Sequence, residues 1–372
     1  MRFKSRLSER ISRWFGAPAW RRELSHEARR RGPLTHIVIL DGTMSTLEPG
    51  EETNAGLTFK LLQELGPHIS LYYEAGVQWR RMPDMIDVMM GRGINRQIRR
   101  AYGYLASRYR PGDRIILMGY SRGAYAVRSL AGVIDAIGLL KSDEANVRNI
   151  RTAYRHYQSN PHGPYALQFR RRFCHDQVDI DMVGVWDTVK ALGLRLPLLW
   201  RLAEIQHGFH SHHLGLSVKA GFHALALDET RIVYEPILWD CPPNWPAEIE
   251  QVWFRGSHGD IGGQLAGVAA ARPLANIPLV WMLEKLEARD VPLPPEWRRR
   301  FPQDVTAPSS GSWKGWARIF LLRRKRSVGH DRTERLHESV ARHHVPPHAD
   351  DSGPPQNAVW SIRRPFADRS AG

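Results

Sequence analysis

The sequence predicts an α/β protein with three layers: a mostly parallel sheet and helices on both of its faces. Short apolar runs alternate with helical stretches, which is typical of parallel strands linked by crossover helices. A small-residue turn at 119–123 joins one such run to a helical stretch. Polar residues also follow other apolar runs, at Asp41, Asp187 and His258. Ligands bind beyond the carboxyl ends of the strands in such sheets, so these positions mark a candidate site.

The predicted elements follow one another from about residue 34. Apolar runs predict strands at 36–40, 69–73, 113–118, 181–186 and 250–254. A helix is predicted over 93–108, and an amphipathic helix follows the turn at 119–123. Residues 190–249 are less regular and contain a leucine-rich stretch and a histidine group. We interpret this segment as an insertion and a candidate cap over the site.

Length and composition restrict the class of protein. The 372 residues are 42% hydrophobic, which is enough for one large domain with extensions. The two cysteines, Cys174 and Cys241, cannot build a disulfide framework and fit a reducing compartment. No segment has the ~18 consecutive apolar residues of a membrane span, and none resembles a signal peptide. We therefore expect a cytoplasmic location, and peripheral membrane binding or export by a non-Sec route stays open.

The charge balance favours anionic partners. The chain has 53 Lys and Arg against 38 Asp and Glu, a net charge of +15. No nucleic-acid-binding motif is present, so we do not expect nucleic acid to be the partner. Residues 1–33 carry a narrow apolar stripe edged by arginines, typical of an interfacial helix or of a helix docked on the domain. This arm and the basic, aromatic segment 313–326 are candidates for contact with an anionic membrane, and a solvated arginine-rich surface is the alternative.

The turn with the sequence GYSRG at 119–123 carries the candidate chemistry. Because an apolar strand precedes it and a helix follows, G-x-S-x-G predicts a nucleophile elbow that lifts the Ser121 hydroxyl clear of the sheet. Gly119 and Gly123 let the backbone turn sharply without a Cβ clash. The alternative is a small-residue turn that only packs a helix against a strand.

A serine nucleophile needs a base, and the base needs a group that orients it. On α/β-hydrolase sheets the partners follow in the chain order serine, acid, histidine. Ser121, Asp187 and His258 provide that order. We predict that Ser121 attacks an ester carbonyl, that His258 moves the proton, and that Asp187 holds the imidazole.

Other residues compete for these roles. Asp41 and Asp260 are alternative acids, although Asp260 lies only two residues from His258 and Asp41 is better suited to bracing loops. His223 and the histidine group at 207–213 are alternative bases. That group could instead bind a metal, but its spacing matches no metal motif, so we expect neither a metal nor another cofactor.

Two backbone donors are expected to face the oxyanion of the reaction. The N–H of Arg122 follows the nucleophile at the start of a helix. The second donor is expected from the turn after the first strand, at Gly42 or Thr43. Supporting roles are predicted for Asp41, Gly119, Gly123 and Asp260.

Further segments, taken together and in order, carry a family pattern. They are 40–43, 53–54, 72–73, 91–94, 119–125, 183–189, 223–229, 253–263 and 337–340. They resemble the α/β-hydrolase family catalogued as domain of unknown function 2235, which includes phospholipase effectors exported by the bacterial type VI secretion system. The resemblance covers roughly 34–345 and implies an α/β-hydrolase-like fold. It also implies a triad, here Ser121, Asp187 and His258, and the esterase or phospholipase A-type reaction of the characterised members.

The resulting domain prediction has four parts. Residues 1–33 form a basic arm and 34–290 form the catalytic domain. Residues 291–345 form a basic C-terminal extension, and 346–372 form a tail rich in Pro, Asp and Ser that we expect to be poorly ordered. The oligomeric state is not indicated by the sequence.

Three classes of function follow from the sequence. The first is a serine carboxylester hydrolase of the phospholipase or lipase type, for which small soluble esters are an alternative substrate. The second is a binding module on a hydrolase scaffold without turnover, because fold and function separate easily. The third is a binder of an anionic surface or of nucleic acid, whose affinity would fall steeply with salt.

Overall fold

The structure, a computed structural model, describes residues 31–76, 92–189, 214–312 and 322–340. Its strands, numbered along the chain, are β1 (Thr35–Leu40), β2 (Ile69–Glu74), β3 (Arg114–Tyr120), β4 (Met182–Trp186), β5 (Ala220–Ala226), β6 (Glu248–Phe254) and β7 (Glu334–Leu336). They form one parallel sheet in the order β2-β1-β3-β4-β5-β6-β7. The predicted α/β class with a parallel sheet is confirmed.

Helices cover both faces of this sheet. In the described residues they are α1 (Asn54–Gln63), α2 (Arg92–Arg108), α3 (Arg122–Ile137), α4 (Val147–Ser159), α5 (Pro164–Phe173), α6 (His258–Gly262) and α7 (Arg272–Ala288). Alternate residues of β1 point to opposite faces: Val38 and Leu40 pack with α2 to α5, whereas Ile37 and Ile39 pack with α1 and α7. The sheet therefore separates two apolar cores and gives the predicted three layers.

Local sequence explains where several helices begin. The Thr53 hydroxyl accepts the Gly56 N–H at 2.9 Å and caps α1. Asn146 caps α4 in the same way, accepting the Asn149 N–H at 2.9 Å. Helix α5 begins at Pro164, whose fixed φ suits the first turn of a helix.

The structure differs from the prediction of one insertion over 190–249. Residues Ala220–Ala226 form β5, an interior strand that pairs with β4 on one side and β6 on the other. All seven residues of β5 are buried, so it has no polar face and no alternating pattern. The part of the predicted cap at 190–213 lies outside the described residues.

The boundary predicted at residue 290 does not separate two units. Trp297 and Phe301 are buried in the same core as α7, and β7 extends the sheet by pairing with β6. The chain after 290 is therefore part of the same domain as far as the structure describes it.

Several predicted segments lie outside the described residues. These are most of the arm at 1–33, the segment 313–321 and the tail at 346–372. In the described ranges, no helix is both long enough and apolar enough to cross a bilayer.

Candidate active site

Ser121 stands between the end of β3 and the start of α3. Its backbone has φ 57° and ψ −119°, a combination that non-glycine residues rarely adopt. Such strain costs on the order of 1–3 kcal/mol, and it clusters at functional sites. The Ser121 N–H donates to the Trp186 carbonyl at 3.0 Å, which ties this sharp turn to the end of β4.

The two glycines of the turn permit close backbone approach. A Cβ on Gly123 would lie 2.0 Å from the Leu40 carbonyl oxygen, and a Cβ on Gly119 would lie 2.7 Å from the Gly123 backbone. Real Cβ atoms do not come this close to backbone. The first turn of α3 can therefore sit directly against the end of β1 only because both positions lack a side chain.

The structure brings Ser121, His258 and Asp187 together. The Ser121 Oγ lies 2.8 Å from His258 Nε2, and His258 Nδ1 lies 2.5 Å from Asp187 Oδ2. Each of the three follows the carboxyl end of a strand: β3, β6 and β4 respectively. Ser121 is 6% exposed and His258 is 5% exposed, so the hydrogen-bonded chain is shielded from bulk water.

Asp187 is fully buried and its carboxylate is held on both oxygens. Oδ1 accepts the Ala226 N–H at 3.0 Å and a guanidinium N–H of Arg326 at 2.6 Å. Oδ2 accepts a second N–H of Arg326 at 2.9 Å, beside its contact with His258. Asp187 is thus fixed by the cationic side chain of Arg326 and by the imidazole of His258, which come from different parts of the chain.

The pKa values of this pair follow from burial and charge. Burial alone would raise the pKa of the Asp187 carboxyl, but the charge of Arg326 and the hydrogen bond with His258 hold it well below its ordinary value. Burial lowers the pKa of the His258 imidazole, and the carboxylates of Asp187 and Glu229 partly oppose this. Near neutral pH the pair is therefore a carboxylate and a neutral imidazole.

Nothing in the sequence indicated this role for Arg326, which lies in the basic segment 313–326 that we considered a candidate for membrane contact. Its side chain is only 5% exposed, and it also donates to the carbonyls of Ala226 and Tyr234. Arg323 likewise points inward, donating to Ser312 and Thr230. The described part of 313–326 thus directs two of its arginines into the protein, and membrane contact by this segment stays a prediction.

Aromatic rings enclose the imidazole of His258. The Tyr234 ring stacks on it with a centroid distance of 4.6 Å, and the Tyr120 ring lies 5.0 Å away. The backbone N–H of His258 donates to Glu229 at 3.2 Å, and Glu229 forms a bidentate ion pair with Arg231. These contacts fix the ring plane that faces Ser121.

The competing acids and the competing base have other partners. Asp260 accepts the Ser257 N–H at 2.8 Å and the Ser310 N–H at 2.7 Å, and so supports the loop before α6. His223 Nε2 accepts the Thr188 N–H at 3.0 Å, and burial lowers the pKa of His223 to about 3. Neither residue is hydrogen-bonded to Ser121.

Asp41 braces the loop after β1. Its carboxylate accepts hydrogen bonds from the Thr53 hydroxyl at 2.6 Å and from the Tyr73 hydroxyl at 2.8 Å. It also accepts the Gly42 N–H at 2.6 Å. Gly42 is therefore not the oxyanion donor that the sequence suggested, because the buried carboxylate of Asp41 takes its N–H.

The oxyanion roles predicted for Thr43 and Arg122 stay predictions. Gln264 donates to the Thr43 carbonyl at 3.1 Å, which ties the loop after β1 to the loop after α6. Arg122 is the first residue of α3, so its amide lies at the positive end of the helix dipole. The histidine group at 207–213 lies outside the described residues, and among the residues that are described no three His, Cys, Asp or Glu side chains group as metal ligands.

In this arrangement a hydroxyl is hydrogen-bonded to a neutral imidazole, and the imidazole is hydrogen-bonded to a carboxylate. Such a hydroxyl can lose its proton to the imidazole as it attacks an electrophilic carbon. The parallel sheet with a serine at a strained strand–helix turn defines an α/β-hydrolase fold. The chain belongs to the family described as "T6SS, Phospholipase effector Tle1-like, catalytic domain", which it matches over residues 35–285.

This chain matches only part of the length of each individual relative. The uncharacterized protein YEL023C of Saccharomyces cerevisiae is 28% identical over 235 residues, which are 56% of this chain and 33% of that protein. An uncharacterized protein from Pseudomonas aeruginosa has a TM-score of 0.41 at 14% identity, covering 81% of this chain and 52% of the other. This chain thus spans about a third of the yeast relative and about half of the Pseudomonas protein.

Two further solved structures are similar to this chain. The Tle1 effector bound to the VgrG spike of the type 6 secretion system has a TM-score of 0.26 at 17% identity, covering 63% of this chain and 51% of the other. A thermophilic esterase from Thermogutta terrifontis has a TM-score of 0.34 at 10% identity, covering 71% of this chain and 85% of the other.

Proposed function

We propose that the chain is a serine carboxylester hydrolase in which Ser121, His258 and Asp187 form the catalytic triad. The continuous hydrogen-bonded chain from Ser121 Oγ through His258 to Asp187, on a strained turn, is the observation that supports this most directly. Ser121 Oγ attacks the ester carbonyl carbon while His258 Nε2 accepts its proton. Asp187 holds the Nδ1–H and stabilises the imidazolium.

The cycle closes with water. As the ester C–O bond breaks, His258 returns its proton to the leaving alcohol, and the acyl group stays on Ser121. A water molecule then attacks the acyl carbon and gives its proton to His258 Nε2, which passes it to Ser121 Oγ as the acid leaves. The N–H groups of Arg122 and Thr43 are the proposed donors to the oxyanion in both halves.

We propose the acyl ester of a phospholipid as the substrate. Membership in the Tle1-like phospholipase effector family supports this choice. A small soluble ester is the alternative substrate, and a scaffold without turnover is the alternative function.

The test compares turnover of a short-chain p-nitrophenyl ester and of phospholipid vesicles by the wild type, Ser121→Ala and Ser129→Ala. Ser129 is a matched control because it lies on the same helix, α3, and donates to the Tyr125 carbonyl at 2.8 Å. We expect Ser121→Ala to lose roughly 10⁴-fold or more in kcat, as triad nucleophiles do, and Ser129→Ala to retain activity. Equal, negligible turnover by wild type and Ser121→Ala on both substrates would favour the binding module.

We also propose that the protein is exported by a type VI apparatus rather than by the Sec route. The support is the family description as a type VI secretion phospholipase effector. Secretion from a host strain with and without a working type VI system tests this. Equal release from both strains would contradict it.

A further inference from the structure

Helices α4 and α5 form a surface of unusual charge. The segment 147–173, which contains both helices, has six arginines and no aspartate or glutamate. The arginines are Arg148, Arg151, Arg155, Arg170, Arg171 and Arg172. This concentration of one charge sign stands out even in a chain with a net charge of +15.

The arginines of α4 share one exposed side. Arg148, Arg151 and Arg155 follow one another at steps of three and four residues, which places them within an arc of about 60°. All three are exposed. The opposite side of α4 carries the buried Tyr154 and Tyr157 and packs against the helices α2 and α3.

The outward side of α5 carries exposed apolar side chains as well as exposed arginines. Ala166 and Phe169 face the core. Tyr165 is 77% exposed and Leu167 is 43% exposed, whereas most large apolar residues of the described chain are buried. Arg171 and Arg172 are also exposed, one to two turns further along the helix.

These arginines differ from most other exposed arginines in having no carboxylate partner among the described residues. Arg100 pairs with Glu74, Arg298 with Glu287 and Arg300 with Glu64. No ion pair of the described residues involves the five exposed arginines of α4 and α5, which are Arg148, Arg151, Arg155, Arg171 and Arg172. Their charge is therefore available to an external anion.

The turn between α4 and α5 lies towards the edge of the sheet that carries Ser121. Gln97, near the start of α2, donates to the Ala75 carbonyl just beyond β2, so this end of α2 is at the carboxyl edge. Tyr154, in the second half of α4, donates to Asn95 in the same part of α2 at 2.8 Å. The exposed Tyr165 follows this turn directly, at the start of α5.

We propose that this α4–α5 face, defined as the five exposed arginines with Tyr165 and Leu167, docks the enzyme on an anionic lipid bilayer. Guanidinium groups are attracted to anionic headgroups, and Tyr and Leu side chains partition into the interface beside them. The exposed Tyr165 and Leu167 beside these arginines suit a membrane interface, where apolar side chains accompany cationic ones, better than a purely ionic partner. The choice of lipid as partner rests on the proposed function, whereas binding itself needs no turnover.

Vesicle co-sedimentation in a Ser121→Ala background tests the proposal without hydrolysis of the lipid. The full chain is mixed with phosphatidylcholine vesicles that contain or lack phosphatidylglycerol. The double variant Arg151→Gln/Arg155→Gln is compared with Arg299→Gln/Arg300→Gln, which changes net charge equally. Arg299 and Arg300 lie beside Trp297, which packs into the core on the opposite side of the sheet.

We expect the Arg151/Arg155 variant to bind anionic vesicles roughly 30-fold more weakly, since each arginine near such a surface contributes about a factor of five. The Arg299/Arg300 variant should bind like its parent, and added salt should weaken the parent. Tyr165→Ser should weaken the binding that survives at high salt. Circular dichroism checks that each variant is folded.

Two outcomes would overturn the docking surface. One is equal vesicle binding by the two double variants. The other is equal binding of the parent to vesicles with and without phosphatidylglycerol. This second outcome would also be expected if the face bound an acidic protein instead of a membrane. Failure of the proposed function is recognised separately: the Arg151/Arg155 variant with Ser121 intact is assayed on a soluble p-nitrophenyl ester. If the vesicle results are as expected but no ester is hydrolysed, the docking surface is supported and the proposed hydrolase function is contradicted.

Discussion

The guanidinium of Arg326 donates to both carboxylate oxygens of Asp187, at 2.6 and 2.9 Å, across 139 positions of the chain. The same guanidinium donates to the Ala226 carbonyl at 2.7 Å. A planar guanidinium fixes a carboxylate in orientation as well as in charge. Oδ2 of Asp187 is thereby held where it meets the His258 ring.

Arg326→Gln should move the acid limb of the kcat/KM profile to higher pH. Removing a positive charge beside the Asp187–His258 pair makes protonation of His258 easier, which raises its pKa, and a protonated His258 cannot accept the proton of Ser121. Arg326→Lys keeps the charge but loses the bidentate geometry. The acid limb of its kcat/KM profile should therefore lie at the same pH as in the wild type, while its kcat falls. Steady-state kinetics between pH 5 and pH 9 measure both effects.

Arg323→Gln is the control for this prediction. Arg323 lies three residues away and its described bonds go to Ser312 and Thr230 rather than to the site. Its acid limb should match that of the wild type. An unchanged acid limb in Arg326→Gln would contradict a role of Arg326 in setting the pKa of His258.

Ser121→Gly should be more stable than Ser121→Ala. The φ of 57° and ψ of −119° at position 121 strain any residue with a Cβ, and glycine removes that strain. The difference should be about 1 kcal/mol in the free energy of unfolding, after the greater chain entropy of glycine is subtracted. Urea denaturation of the two inactive variants measures it, and lower stability of the glycine variant would contradict a strained turn.

Asp41→Asn should stabilise the protein increasingly as pH rises. Burial raises the pKa of Asp41 from 3.8 to about 6, so the folded state favours the protonated carboxyl. The stability that this preference gives is complete below pH 4 and is lost as pH rises through 6. Asparagine stays neutral, so its advantage over the wild type should grow by up to about 3 kcal/mol between pH 4 and pH 7. Unfolding in urea at several pH values tests this, and a constant difference would refute it.

Gly123→Ala should damage both the fold and the site. The added Cβ would meet the Leu40 carbonyl oxygen at 2.0 Å, so β1 and α3 must separate. We expect a loss of several kcal/mol, as for severe overpacking, and a large fall in kcat. Gly32→Ala is the matched control, because no atom lies within 4 Å of its added Cβ. Thermal unfolding and ester turnover of both variants are compared, and equal stability would contradict the close approach.

Part of the fold could not be predicted from local pattern. The sequence AGFHALA of β5 has small residues and no alternation of polar and apolar residues, so its strand identity depends on pairing with β4 and β6. The direction of the Gly42 N–H was equally hidden, because it depends on the burial of Asp41. Both outcomes result from contacts between distant segments.

The sequence by itself determined the strand–turn–helix unit around Ser121, since strand period, helical spacing and paired glycines are local properties. It also predicted the chain order of Ser121, Asp187 and His258 at the ends of parallel strands. Only the tertiary structure decided that Arg326 turns inward onto Asp187 instead of outward. A basic run looks the same in sequence whether it meets solvent or a buried carboxylate, and the folded neighbours of each arginine make that choice.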